Sequence, residues 1–143
     1  MTTVRAALRA ALVVAAAVGR PAPAQEPPPP PPPPRANPDS ITPALVALGD
    51  SVFHGRVGRG TCFACHGAKG AGGLAPPLTS GRWLHGDGSY QSIVRAVREG
   101  VPKPKQAPTP MPPMGGANLT PEQVRAVAAY VYTLGQQGGR AGP

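Results

Sequence analysis

Apolar residues recur at helical spacing in three stretches of the chain, which predicts an all-α fold with three main helices. The first stretch begins at Thr42-Pro43, a good N-cap followed by a residue suited to the first helical position, and runs to about Gly55. Gly49 lies inside it and costs about 1 kcal/mol relative to alanine. That cost is best explained if another helix crosses closely at this point.

The other two stretches have equally clear boundaries. The middle one has Asp87 or Ser89 as its N-cap and ends at Gly100. The last one begins at Thr120, which has a capping-box glutamine three residues later, and is expected to stop at Gly135. Their apolar faces consist of residues three or four positions apart: Tyr90, Ile93, Val94 and Val97 in the middle helix, and Val124, Val127, Ala128, Val131 and Leu134 in the last.

The residues before the first helix have the composition of an export signal and a spacer. Residues 1–24 combine Arg5 and Arg9 with a short apolar run and small residues, which predicts a signal peptide, either cleaved after Ala24 or retained as an anchor. Residues 25–40 include eight consecutive prolines, a polyproline II rod of about 25 Å, and predict a disordered linker. The domain itself is therefore expected at residues 41–135, followed by a flexible tail at 136–143.

The charge of the chain bears on its partners. Its 14 basic and 6 acidic residues give a net charge of +8, and three of the basic residues lie in the predicted leader, which leaves +5. Only Lys103 and Lys105 are close together, and no aromatic residues alternate with the basic ones. This pattern argues against nucleic-acid binding and favours mild attraction to an acidic partner surface.

The chemistry of the chain is concentrated in the motif Cys62-Phe63-Ala64-Cys65-His66. Two thiols three positions apart can each form a thioether bond with one vinyl group of a haem, and the next residue then offers its imidazole to the iron. The motif therefore predicts the covalent attachment of one haem c, with His66 as an axial ligand.

A zinc site or a thiol redox pair is the alternative for these cysteines. Cys62 and Cys65 are the only two in the chain, whereas a structural zinc site usually takes two ligand pairs. The spacing of His54 and His85 is unlike that of a zinc ribbon, and both are expected to be surface residues. The glycine-rich flanks supply no strand for a thioredoxin-like setting.

A proline-rich loop from Lys103 to Gly116 supplies candidates for the other face of the iron. Met111 and Met114 lie in it outside any helical periodicity, and a thioether is a suitable soft ligand for haem iron. The residues alone leave open which methionine serves. If neither did, the sixth site would be open and peroxidase or gas-binding activity would be the alternative function.

Together these motifs resemble the class I cytochromes c over about residues 41–134. Gly49 and Phe53 ahead of the attachment motif, the proline segment at Pro76 and the Met111-Pro112 pair before the last helix are similar to that family's pattern, in the same order. The resemblance implies the class I cytochrome c fold wrapped around one covalently bound haem. It also implies that the first and last helices cross near Gly49 and Tyr130.

The same resemblance implies roles for individual residues. Met111 would be the distal iron ligand, with Met114 as the second choice, opposite His66. The carbonyl of Pro76 would accept a hydrogen bond from His66, and Trp83 would lie near a haem propionate.

The function implied is that of an electron carrier rather than an enzyme, cycling between Fe(III) and Fe(II) by outer-sphere transfer at an exposed haem edge. Expected partners are redox proteins such as a quinol-oxidising complex, a terminal oxidase or a periplasmic dehydrogenase, with an acidic docking surface. No nucleic acid or small-molecule substrate is expected. The protein would lie in the periplasm or on the extracytoplasmic face of the membrane, with membrane contact only if the leader is uncleaved.

Overall fold

The computed structural model describes residue 37 and residues 40–140, and this part of the chain forms four α-helices joined by loops. None of these helices is both long enough and apolar enough to cross a bilayer. The predicted signal peptide, nearly all of the predicted linker and residues 141–143 lie outside the described residues. The elements in chain order are α1 (Pro43–Phe53), α2 (Cys62–His66), α3 (Tyr90–Glu99), a short 3-10 turn (Pro113–Gly116) and α4 (Pro121–Arg140).

The predicted caps at the starts of the long helices are present. In α1 the hydroxyl of Thr42 accepts a hydrogen bond from the N–H of Leu45 at 3.2 Å. In α4 the capping box is reciprocal, because Gln123 N–H donates to the Thr120 hydroxyl at 3.2 Å and Thr120 N–H donates to the Gln123 amide oxygen at 3.0 Å. Of the two candidates for α3, Ser89 is the cap.

Helices α1 and α4 cross at Gly49, as predicted. A Cβ atom built on Gly49 would lie 2.0 Å from the carbonyl oxygen of Ala126 and 2.8 Å from the Cβ of Tyr130, both on α4. The two backbones therefore approach so closely that only glycine fits between them. The helix-propensity cost of this glycine is offset by the packing that the close crossing allows.

We expect Gly49→Ala to lower the free energy of unfolding by about 1–3 kcal/mol, because the added methyl group meets backbone atoms that cannot rotate away. Urea unfolding of the haem-loaded protein, followed by circular dichroism, measures the change. The matched control is Ala47→Val, which adds bulk on the exposed side of the same helix. Equal stability of the Gly49→Ala variant and the wild type would contradict the crossing described here.

The predicted end of the last helix at Gly135 is wrong, because α4 continues to Arg140 and includes residues 136–140 of the predicted tail. A Cβ atom on Gly135 would lie 2.6 Å from Cζ2 of Trp83, and one on Gly138 would lie 1.4 Å from the carbonyl oxygen of Thr79. These glycines let the loop around Trp83 pack against the helix. The glycines allow this loop and α4 to approach closely, and they do not end the helix.

Helix α3 packs on α4 and completes the core. The buried side chains of α3 are Tyr90, Ile93 and Val97, as its apolar periodicity predicts. The hydroxyl of Tyr90 donates a hydrogen bond to the carbonyl oxygen of Arg125 at 3.0 Å, so its one polar atom is paired in the core. The three long helices thus form the apolar scaffold on which the loops between them are arranged.

Candidate functional site

An apolar cavity of about 260 Å³ lies between the helices and the loops. Side chains from all three long helices form part of its wall: Phe53, Ile93, Val97, Val127 and Val131. The attachment motif on α2 and the loop that carries Met111 also line it. The core therefore continues directly into the walls of the cavity.

Cys62 and Cys65 are both free thiols that line this cavity. The single turn of α2 places residues three positions apart on the same side, so both sulfur atoms belong to one face. Burial raises the pKa of the Cys62 thiol, whereas Cys65 is exposed. One cysteine thus lies towards the interior and the other at the mouth of the cavity.

His66 has one ring nitrogen occupied and one available. Its Nδ1 lies 3.1 Å from the carbonyl oxygen of Pro76, an acceptor, so Nδ1 carries the proton. Burial lowers the pKa of His66, and the smaller opposing effect is the hydrogen bond to Pro76. A neutral ring in this tautomer presents the lone pair of Nε2, which is what a metal-ligating imidazole requires.

Of the two methionines in the proline-rich loop, Met111 lines the cavity. Its backbone pairs with Val101, because Val101 N–H donates to the Met111 carbonyl at 2.8 Å and Met111 N–H donates to the Val101 carbonyl at 3.1 Å. Met114 is half-buried against the hydrophobic core and does not contribute to the cavity wall. Its φ of 55° places it in the left-handed region, which turns the chain beyond Met111.

A hydrogen bond joins the attachment motif to the methionine loop. The hydroxyl of Thr61 donates to the carbonyl oxygen of Gly115 at 3.0 Å, although the two residues are 54 positions apart. Sequence reasoning missed this contact, since nothing in the local pattern around Thr61 indicates it. The bond fixes the distance between the two segments that carry the candidate ligands.

Trp83 lines the cavity together with three basic residues, Arg82, His85 and Lys105. His85, which was expected to be solvent-exposed, is half-buried, and its Nε2 accepts a hydrogen bond from the backbone N–H of Lys105 at 3.2 Å. Arg82 and Lys105 make this part of the wall cationic, which suits it to carboxylate groups. The local sequence does not indicate this basic cluster, because Lys105 reaches the wall through the path of a proline-rich loop.

His54 is also not the surface residue that was expected. Its side chain is 22% exposed, and both ring nitrogens lie close to oxygen atoms of other residues. In the described part of the chain, no three His, Cys, Asp or Glu side chains come together as a metal ion would require. The ligand set of the zinc alternative is therefore not assembled there.

The donors around the cavity fit a covalently attached haem. Cys62 and Cys65 supply the two thiols for thioether bonds, His66 supplies a neutral imidazole, and Met111 supplies a soft sulfur. The rest of the wall is mostly apolar, which suits a large aromatic macrocycle. Two thiols, an imidazole and a thioether therefore line one cavity, and these are the donor types that a covalently attached haem would use.

Comparison with known proteins gives the same indication. The family described as cytochrome c oxidase, cbb3-type, subunit III matches residues 49–131. The cbb3-type cytochrome c oxidase subunit FixP of Sinorhizobium medicae is 39% identical over 105 residues, covering 71% of this chain and 34% of that protein. Subunit CcoP of Rubrivivax gelatinosus is 37% identical over 93 residues, covering 64% and 27%.

The chain thus spans between about a quarter and a third of the length of these relatives, 34% of the first and 27% of the second. Among solved structures, cytochrome CL from Methylophaga aminisulfidivorans is similar with a TM-score of 0.48 and 21% identity. That similarity covers 62% of this chain and 53% of the other.

Proposed function

Because the chain belongs to the family of cytochrome c oxidase, cbb3-type, subunit III, and its matched segment is a class I c-type cytochrome domain, we propose that it is an exported electron carrier. A domain of this family binds haem c covalently, and the motif of Cys62, Cys65 and His66 fits that attachment. The haem supplies an Fe(III)/Fe(II) couple when it is bound. The remaining residues hold, orient and shield this group.

The observation that carries the proposal is the set of four donors on one apolar cavity. Cys62 and Cys65 would form thioether bonds with a haem, and His66 would offer Nε2 to its iron while Pro76 holds the other ring nitrogen. Met111 would supply its thioether as the second protein ligand. With two protein ligands the iron would have no free site for a substrate, so this arrangement favours an electron carrier over a peroxidase or a gas-binding protein.

An apolar surface beside the attachment motif supports electron transfer at that edge. In the described part of the chain, Phe63 and Leu74 are the exposed large hydrophobic residues, with 41% and 63% of their surfaces accessible. Phe63 lies between the two cysteines, and Leu74 lines the mouth of the cavity. The N–H of Ala75, next to Leu74, donates to the carbonyl of Cys65 at 3.0 Å, so Leu74 is held close to the motif.

We propose a terminal oxidase as the electron acceptor, because the relatives are named as subunits of cbb3-type oxidases. A quinol-oxidising complex or a periplasmic dehydrogenase is the proposed donor. The excess of basic residues favours partners with acidic surfaces around the contact. The proposed location is the periplasm or the extracytoplasmic face of the membrane, in keeping with the export signal predicted at residues 1–24.

The test is oxidation of the reduced protein by a cbb3-type oxidase, followed by stopped-flow absorption of the haem. We expect Phe63→Ser and Leu74→Ser each to slow this reaction about tenfold, since a lost contact of about 1.4 kcal/mol corresponds to that factor. The midpoint potential should stay unchanged, because neither side chain is proposed to bind the iron.

Ala71→Ser is the matched control, since Ala71 is exposed on the same loop and is not among the residues that line the cavity. Unchanged oxidation rates in Phe63→Ser and Leu74→Ser would mean that electron transfer occurs elsewhere on the surface. A wild-type protein that is not oxidised by the oxidase, but binds carbon monoxide rapidly when reduced, would show that the carrier proposal is wrong.

A further inference from the structure

His54 joins the end of α1 to the loop that follows the attachment motif. Its Nδ1 lies 2.9 Å from the carbonyl oxygen of Asp50 and 3.0 Å from Oδ1 of the same residue. Its Nε2 lies 2.7 Å from the carbonyl oxygen of Ala68. The ring is thus in contact with oxygen acceptors at both nitrogens.

Only one protonation state of the ring satisfies these contacts. A neutral imidazole has one N–H, so its other nitrogen would direct a lone pair at an oxygen lone pair within 3.0 Å. An imidazolium donates at both positions. The surroundings favour that charge as well, because His54 is the C-cap of α1, where the helix dipole attracts cations, and the Asp50 carboxylate is beside it.

The contacts of the ring lead directly to the haem-attachment segment. Ala68 is two residues after His66, in a loop closed by a hydrogen bond from Gly72 N–H to the His66 carbonyl at 2.8 Å. On its other side the ring stacks with Phe63, with centroids 6.1 Å apart and an angle of 22° between the planes. His54 therefore contacts the attachment segment on both sides of Cys65, at Phe63 and at Ala68.

We infer that His54 is a positioning residue, which in its doubly protonated form ties α1 to the loop after His66. A neutral ring would keep only one of the two hydrogen bonds and would carry no positive charge. The loop would then be held less firmly against α1, and the attachment segment would lose a positive charge that would favour Fe(II) over Fe(III) in a haem bound there. The protonation of the ring follows from contacts alone, whereas its effect on the potential rests on the proposed electron-transfer function.

The other titratable groups around the ring are few. Asp50 is on α1 and is also paired with Arg56 from the next loop, while Lys69 follows Ala68 in the chain. Tyr130 of α4 lies with its ring centroid 6.3 Å from that of His54. Burial, with a further effect of Asp50, raises the pKa of Tyr130, so its hydroxyl stays neutral.

The first test is nuclear magnetic resonance of the reduced, isotope-labelled holoprotein between pH 5 and 9. We expect the nitrogen shifts of the His54 ring to report two N–H groups at low pH. When the ring loses its proton, the carbonyl carbon shift of Ala68 should move with the same midpoint. A ring that keeps both protons over the whole range also supports the inference. A bare ring nitrogen at every pH, or a titration that leaves the Ala68 carbonyl unmoved, would overturn it.

The second test is the midpoint potential measured by spectroelectrochemistry over the same range. His54→Gln keeps one hydrogen-bond donor without the charge. It should lower the midpoint potential at pH 5 and remove any step that residue 54 causes in the plot of potential against pH. Arg95→Gln is the control and should keep that step, since it removes a positive charge from an exposed position on α3 that does not line the cavity. A step that persists unchanged in His54→Gln would overturn the inference.

If His54→Gln does not mature, Asp50→Asn serves instead. Removing the carboxylate beside Nδ1 should move the His54 titration to lower pH, and an unmoved or raised midpoint would contradict the proposed pairing. These measurements are independent of any partner protein. A normal His54 titration in a protein that fails to reduce an oxidase would therefore refute the proposed function and leave the positioning role standing.

Discussion

Replacing Met111 with alanine is expected to abolish the methionine-to-iron charge-transfer absorption of the ferric protein and to lower its midpoint potential. The drop should be on the order of 0.1 V, within the roughly 0.8 V range over which axial ligands set haem potentials. The physical reason is that a thioether favours Fe(II), so its loss stabilises Fe(III) relative to the native protein. Absorption spectroscopy and a redox titration measure both effects.

The matched control is Met114→Ala, which removes a methionine three positions away. Met114 is half-buried against the core and does not line the cavity, so this variant should keep the charge-transfer absorption and nearly the native potential. It should lose some stability instead, because a partly buried side chain is truncated. The reverse pattern, with the absorption lost in Met114→Ala and kept in Met111→Ala, would show that the ligand assignment is wrong.

Replacing both Cys62 and Cys65 with alanine is expected to abolish covalent attachment of the haem. Acidified organic solvent should extract all of the haem from this variant and essentially none from the wild type, because thioether bonds survive that treatment. The single variants Cys62→Ala and Cys65→Ala should each retain haem through one thioether. Their pyridine haemochrome spectra should show the shift expected for one unreacted vinyl group.

Ala64→Ser, which changes an exposed residue between the two cysteines, is the matched control and should retain its haem. The measurement requires protein made with the export and maturation machinery. Haem that remains bound to the double variant after extraction would contradict attachment through these thiols.

Several features of this fold could be predicted from the sequence because they depend on neighbouring residues. The caps of α1 and α4 involve hydrogen bonds over three positions, so Thr42, Thr120 and Gln123 indicate them directly. The attachment motif is equally local, since Cys62, Cys65 and His66 lie within a single turn of helix. The crossing at Gly49 was predicted by resemblance to a family, and a glycine inside a helix is itself a local signal.

Other features depend on contacts between distant segments, and the local sequence does not contain them. Gly135 is of the residue type that commonly ends a helix, yet α4 continues beyond it. The glycine instead leaves room for the side chain of Trp83, which is 52 positions earlier in the chain. His54 looked like a surface residue because its partner Ala68 belongs to another loop.

The two methionines illustrate the same difference between what neighbouring residues determine and what contacts between distant segments determine. Met111 and Met114 have the same chemistry and similar proline-rich surroundings, so the sequence by itself determined only that a thioether is available opposite His66. The tertiary structure separates them, because the backbone pairing with Val101 holds Met111 at the cavity, whereas the left-handed conformation at Met114 takes that side chain to the core. Local chemistry thus determined which groups can bind a haem, and long-range packing decided which of them face the cavity.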